Sequence, residues 1–135
     1  MVAPLSAHTL AKIAHGFCDD TVSCVIRAWD FGHGLRPAKS LLLAPAMNTA
    51  MWNHPLTAEH LSTIQGFSNT SRSAGPQCIG NHGDTNALVD TNAVRIIEPQ
   101  VKTLACGEIG NGALASVDDI LQVVSDAMNL KHEKF

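Results

Sequence analysis

Apolar positions change their spacing several times along the chain, and each change predicts an element. The opening "MVAPLS" is a short apolar run that reads as a strand passing into a loop at Ser6. From there the spacing becomes helical. Leu10, Ile13 and Ala14 fall at i, i+3 and i+4, Ser6 suits the N-cap, and Gly16 stops the helix. A second helix is predicted from Asp19 or Asp20 to Trp29, with Val22, Val25, Ile26 and Trp29 as its apolar face. "FGHGLRPAKS" breaks the pattern with Gly32, Gly34 and Pro37. The unbroken apolar run "LLLAPA" then suits a strand covered on both faces, as in a parallel sheet, and it ends at Pro45. "NTAMWNHP" reads as a short turn or helical piece. "LTAEHLSTIQGF" reads as a helix capped near Thr57 and stopped at Gly66.

Residues 67–92 are rich in Ser, Asn, Thr and Gly and read as a polar surface insert. "AVRII" restores a strand ending at Glu98-Pro99, and "LACGEIGNGALAS" reads as a glycine-rich loop. A last helix begins at Ser116, with Val117, Ile120, Leu121, Val124 and Met128 as one stripe. Asp118 and Asp119 lie in its first turn, with Lys131 and His132 near its end, as the helix dipole favours. The order β, α, α, β, α, β, α predicts an α/β fold with a parallel sheet.

Composition narrows the function. With 135 residues and 45% hydrophobic content, the chain is long enough for one domain with a real core. A formal net charge of −3, with no clustered basic residues, argues against a nucleic-acid partner. No apolar stretch approaches the roughly 18 residues of a membrane span, and the N-terminus lacks a signal-peptide pattern, so a cytoplasmic protein is expected. The four cysteines, Cys18, Cys24, Cys78 and Cys106, form no C-x-x-C pair and read as free thiols, with Cys18 and Cys24 expected in the core. Cys78 and His82 are the one pair that could suggest a metal, and their loop setting favours bystanders, so no metal is expected.

In an open α/β sheet, ligands sit outside the carboxyl ends of the strands. Three loops qualify here: "PLSAHT", "PAMNTAMW" and "ACGEIGNGA". The first two should lie side by side on the rim, with the third able to reach over them. "SAHT" opens a helix, where free N–H groups attract anions, although a simple cap explains the same residues. Asn48 can hold a carboxylate or amide, or can cap the next helical turn. Met47 and Met51 are adaptable apolar walls or core. Cys106, on a loop with three glycines, can serve as an acid or nucleophile, or be a small buried apolar residue.

Taken together and in order, "APLSAHTLAKIAHGFCDD", "APAMNTAMW" and "LACGEIGNGA" resemble the signature of the flavin-containing cysteine decarboxylases, over residues 1–66 and about 94–128. The resemblance implies a flavodoxin-like (Rossmann-like) α/β fold, here the C-terminal part of a flavoprotein domain without its N-terminal strands. It also implies FMN as cofactor and a homotrimer with active sites between subunits. The implied reaction is decarboxylation of 4'-phosphopantothenoylcysteine to 4'-phosphopantetheine in coenzyme A biosynthesis. By the same resemblance Ser6, Ala7, His8 and Thr9 form the FMN-contacting turn, and Ala46 with Met47 lines the flavin. Asn48 grips the substrate carboxylate, Met51 helps clamp it, and Cys106 donates a proton from a substrate-covering flap. Lys102, Ala105 and Leu114 fall near substrate-contacting positions. In that chemistry the cysteinyl thiol end is oxidised to a thioaldehyde, CO2 leaves to give an enethiolate, Cys106 protonates it and a hydride returns.

Some positions depart from the family pattern. His8 stands where the family usually has Asn, His15 where it has a second Gly, and Thr103 where relatives often carry Lys. The family's catalytic histidine and first phosphate loop lie upstream of the matching region, and none of the seven histidines takes that role by motif. The alternative is a non-catalytic halotolerance-type relative, acting as a protein phosphatase regulatory subunit or as an inactive subunit of a mixed trimer.

Overall fold

The computed structural model describes residues 1–31, 38–68, 93–103 and 109–132. A three-stranded parallel sheet runs β1 (Val2–Leu5), β2 (Leu41–Pro45), β3 (Val94–Ile96), in that spatial order. Its register sets Val2 against Leu43, and Leu41, Leu42 and Leu43 against Val94, Arg95 and Ile96. All five residues of β2 are buried, as its unbroken apolar run predicts for a strand covered on both sides. Leu41 and Leu43 join Leu5, Leu10, Ile13, Ile26, Ile64 and Val94 in the main core. Ala44, on the other face, packs with Ile97 and Ala115. A fully buried leucine of this kind is worth about 2–5 kcal/mol relative to alanine.

Helix α1 (Ala7–His15) follows the sequence reading. Ser6 caps it, its Oγ accepting from the Thr9 N–H at 3.2 Å, and Gly16 ends it in the left-handed region at φ 75°. Helix α2 (Thr21–Arg27) is capped by Asp20 in a reciprocal box with Ser23. Its inward face differs from the expected one. Ser23 and Ile26 are buried, while Val22 and Val25 are exposed, because Ile26, with Trp29 beside it, is the residue that packs into the main core. Cys18 and Cys24, expected in the core, are exposed: Cys24 lies on the outward side of α2, and Cys18 lies between α1 and α2. Partial desolvation, then the neighbouring Cys18, pushes the Cys24 thiol above its usual range.

The one-turn helix α3 (Thr49–Trp52) leads into α4 (Pro55–Gln65), which packs against α1. The N-cap of α4 is His54 with Pro55 behind it, three residues before the expected Thr57. Pro55 fits a first helical turn, where its missing N–H costs nothing. Thr57 is instead buried, its hydroxyl donating to the Met51 carbonyl at 2.6 Å. Phe67 and Ser68, read with the polar insert, form a 3-10 turn that closes α4. The rest of that insert, with Cys78 and His82, lies outside the described residues.

The glycine-rich stretch holds an element the sequence reading did not anticipate, an antiparallel hairpin of β4 (Gln100–Thr103) and β5 (Ile109–Ala113). The final helix α5 (Val117–His132) starts after Ser116, whose Oγ accepts from the Asp119 N–H. Its expected stripe is rotated: Val117 and Leu121 are 71% and 59% exposed, while Ile120 and Val123 pack on the second core cluster. The side chains of Lys131 and His132 lie outside the described residues. Among the described residues no helix is long and apolar enough to cross a membrane.

Lys12 on α1 reaches Asp19 at 2.7 Å and Asp20 at 2.8 Å, tying the two helices together. The Asp19 and Asp20 contacts raise the Lys12 ammonium above its usual value. Lys12, then the Ser23 N–H, holds the Asp20 carboxyl far below the usual carboxylate range. A carboxylate lowered on folding contributes stability above its unfolded value, and that contribution is lost as pH falls through the folded one. We therefore expect Asp20→Asn, which keeps the cap, to destabilise less than Asp20→Ala at neutral pH. The gap between wild type and Asp20→Asn should begin to narrow as the solution is acidified below about pH 4, and close only as the pH falls through the strongly lowered folded value. Urea unfolding at pH 7 and pH 3 checks this; a gap that persists unchanged at pH 3 contradicts it.

Candidate active site

The parallel sheet brings the first two predicted loops to one rim. The Leu5 carbonyl at the end of β1 accepts from the Ala46 N–H at 2.9 Å, so the Ser6–Thr9 turn and the Ala46–Met47 segment run side by side. At the α1 N-terminus the Ser6 Oγ takes the Thr9 N–H and lies 3.1 Å from the Thr9 hydroxyl. The N–H groups of Ala7 and His8 have no partner within the helix and sit at its positive end. Ser6 and His8 are exposed.

Across from this turn, Asn48 is exposed and caps α3, its Oδ1 accepting from the Met51 N–H at 2.8 Å. Capping uses the carbonyl end of the amide and leaves the NH2 as the group that can donate outward. Capping and carboxylate binding are therefore compatible in one side chain. Met47 is partly buried against the main core, whereas Met51 is 50% exposed. A one-turn helix has little stability of its own. Here the Asn48 side chain, the His54 N–H and the Thr57 hydroxyl hold its two ends.

The hairpin docks on this segment. The Met47 N–H donates to the Gly112 carbonyl at 2.9 Å, and the Asn111 Nδ2 donates to the Asn53 Oδ1 at 3.2 Å. Gly112 has φ 116°, and a Cβ there would lie 2.7 Å from the Met47 carbonyl oxygen and 3.1 Å from the Trp52 Cβ. Only glycine allows this approach. Lys102 is exposed on β4, opposite Gly110. Leu114 packs against the second core cluster, and its carbonyl accepts from Gln100 Nε2 at 3.0 Å. Ala105 and Cys106, between β4 and β5 in the sequence, lie outside the described residues.

The sequence reading missed Asn111, Asn53 and Thr57. The Gly110-Asn111-Gly112 triplet was a usable signal, since flanking glycines let a polar side chain sit where two backbones meet. The Asn111 Oδ1 is buried and has no hydrogen-bond partner among the described residues. Such an atom calls for a donor from outside this set.

These residues fit a flavin nucleotide: open N–H groups and hydroxyls for a polar tail, an Ala46–Met47 wall for a flat ring, and an orphan acceptor on the hairpin. A separate cleft of about 520 Å³, lined by His15, Phe17, Trp29 and Phe31 among others, opens at the far end of α1 and contains none of these residues.

The flavoprotein family model matches residues 1–129. The chain is 43% identical over 115 residues to phosphopantothenoylcysteine decarboxylase of Oryza sativa subsp. japonica, covering 85% of this chain and 38% of that protein. It superposes with a TM-score of 0.64 at 38% identity on a cysteine-to-serine variant of PPC decarboxylase complexed with pantothenoylaminoethenethiol. Against the FMN binding protein AtHal3 the TM-score is 0.62 at 39% identity. Each of these two superpositions covers 91% of this chain and 50% of the other. The chain thus spans half or less of the length of these relatives.

Gly112→Ala is expected to cost about 1–3 kcal/mol, from the positive φ and the clash with the Met47 carbonyl. Thermal unfolding measures it. A change within 0.5 kcal/mol, the usual range for a surface substitution, would contradict the tight docking.

Proposed function

The chain belongs to the flavoprotein family, and from that premise we propose that it carries the substrate-gripping and protonating part of an FMN-dependent phosphopantothenoylcysteine decarboxylase. The observation that carries this reading is the Asn48 amide, whose cap bond to Met51 fixes its carbonyl inward and presents its NH2 to the rim. A carboxylate placed there accepts a charge-assisted hydrogen bond. Met51 closes the apolar side, and Lys102, Ala105 and Leu114 border the substrate. Bound FMN would supply the reversible oxidation of the thiol end that lets the carboxylate leave as CO2. The Ser6–Thr9 turn and the Ala46–Met47 wall would hold it. Cys106, which lies between β4 and β5 in the sequence, protonates the carbon that has lost CO2.

The open edge of β1, which pairs only with β2 among the described residues, supports reading the chain as the C-terminal part of the domain. On this reading the upstream histidine and first phosphate loop come from a preceding half. A homotrimer or mixed trimer completes the site, in the cytoplasm, within coenzyme A synthesis. Retention of both Asn48 and Cys106 favours decarboxylation over the phosphatase-regulating alternative.

Two variants of the assembled enzyme test this. Asn48→Asp keeps the cap oxygen, removes the donors and sets a negative charge against the substrate carboxylate. It should leave the melting temperature nearly unchanged and lower kcat/KM for CO2 release at least about 100-fold, since a hydrogen bond to a charged group is worth roughly 1.5–3 kcal/mol before the repulsion is added. Activity within threefold of wild type would remove Asn48 from the site. Cys106→Ser should still release CO2 while phosphopantetheine formation stalls; a normal product yield, read by mass spectrometry, would remove Cys106 from the proton transfer.

A further inference from the structure

His15, at the C-terminal end of α1, and His60, midway along α4, bring their Nε2 atoms to 3.1 Å. Their rings are T-shaped, 84° between planes, with centroids 5.0 Å apart. That centroid distance is shorter than a head-on N···N contact of the same length allows. The rings therefore meet at a bent angle, a geometry that serves a hydrogen bond between the two nitrogens and equally suits two ligands of one ion. A metal about 2.0–2.1 Å from each nitrogen would subtend roughly 98° at this spacing, between a right angle and the tetrahedral value.

The helices that carry both rings are held by packing that is independent of any ion. Ile13, two residues before His15, and Ile64, one turn after His60, are buried in the main core where α1 meets α4. His15 is exposed, so water can fill the remaining coordination positions. Among the described residues, no third His, Cys, Asp or Glu completes a cluster. His15 also lies nine residues beyond Ser6, about 13 Å along the helix, so the pair is separate from the rim.

We propose that His15 and His60 form a two-imidazole site for a borderline divalent transition metal (Zn2+, Ni2+ or Cu2+) that staples α1 to α4. Nitrogen ligands select these ions over Mg2+ and Ca2+. The staple ties together the helix that begins at the Ser6 turn and the helix that follows Asn48, so an ion there stiffens the support of both rim loops.

Calorimetry with Ni2+, Zn2+ and Mg2+ on the intact protein tests it. We expect one Ni2+ or Zn2+ per chain, no Mg2+, and a rise in melting temperature at saturating metal. His15→Gln and His60→Gln should each weaken binding at least tenfold and abolish the rise. Unchanged affinity in both variants, or no stoichiometric Ni2+ or Zn2+ binding by wild type, overturns the proposal. Because a glutamine variant could unfold, the electron paramagnetic resonance spectrum of the wild-type Cu2+ complex gives a second readout. Two coordinated imidazole nitrogens and no thiolate are expected. One nitrogen, or thiolate ligation from Cys18 or Cys24, overturns it as well.

Discussion

The site depends on one backbone contact, the Met47 N–H bonded to the Gly112 carbonyl at 2.9 Å. Met47 directly follows Ala46, which is itself bonded back to β1, so the hairpin attaches to a point fixed by the parallel sheet. Both partners are main-chain groups, and the contact survives most side-chain changes. Its one strict requirement is at Gly112, where a Cβ would press within 2.7 Å of the Met47 carbonyl. A buried main-chain pair is costly to leave unmade, which gives the hairpin a single seat beside Asn48.

Polar side chains around that seat each do two things. Asn48 spends its oxygen on the α3 cap and keeps its amide protons for a ligand. Thr57 is buried one turn into α4, yet its hydroxyl holds the last turn of α3 through the Met51 carbonyl. His54 caps α4, its Nδ1 accepting from the Leu56 N–H, while its own N–H donates to the Met51 carbonyl in α3. With four residues, α3 cannot stand by its own propensity. It stands because its termini are pinned, so the position of Asn48 is set by neighbours outside its own turn.

Local signals were legible in the sequence, and those that depend on partners were less so. Ser6, Gly16 and the β2 run were readable because a cap, a left-handed stop and an unbroken apolar strand are decided within a few residues. The rim was readable too, since parallel topology alone sends three loops to one edge. The facing of α2 and α5 was not. Both helices carry apolar residues on more than one side, and which side turns inward was decided by the main core around Ile26 in one case and by the Ala44–Ile97–Ala115 cluster in the other. The hairpin was hidden because glycine favours no period, and β5, "IGNGA", gives no strand signal without its partner β4. The His15–His60 pair is separated by 45 residues and has no local signature at all.

The hairpin's place over the rim follows from chain length as well as from hydrogen bonds. β3 ends at Ile96 and β4 begins at Gln100, so the chain can travel at most about 14 Å between them. β3 points its C-terminal end at the same rim as β1 and β2, and Ile97 is still held by the Leu43 carbonyl at 2.8 Å. Whatever follows β3 must therefore rise beside the loops that leave β1 and β2. An antiparallel hairpin is a compact way to rise and return within so short a reach, because its two strands satisfy each other's backbone groups without a further sheet. Its return strand then delivers the chain to Ala115 and α5 on the opposite face from α1 and α4. The covering element over the rim is thus a consequence of where the third strand ends, and Gly112 is the residue that lets it settle there.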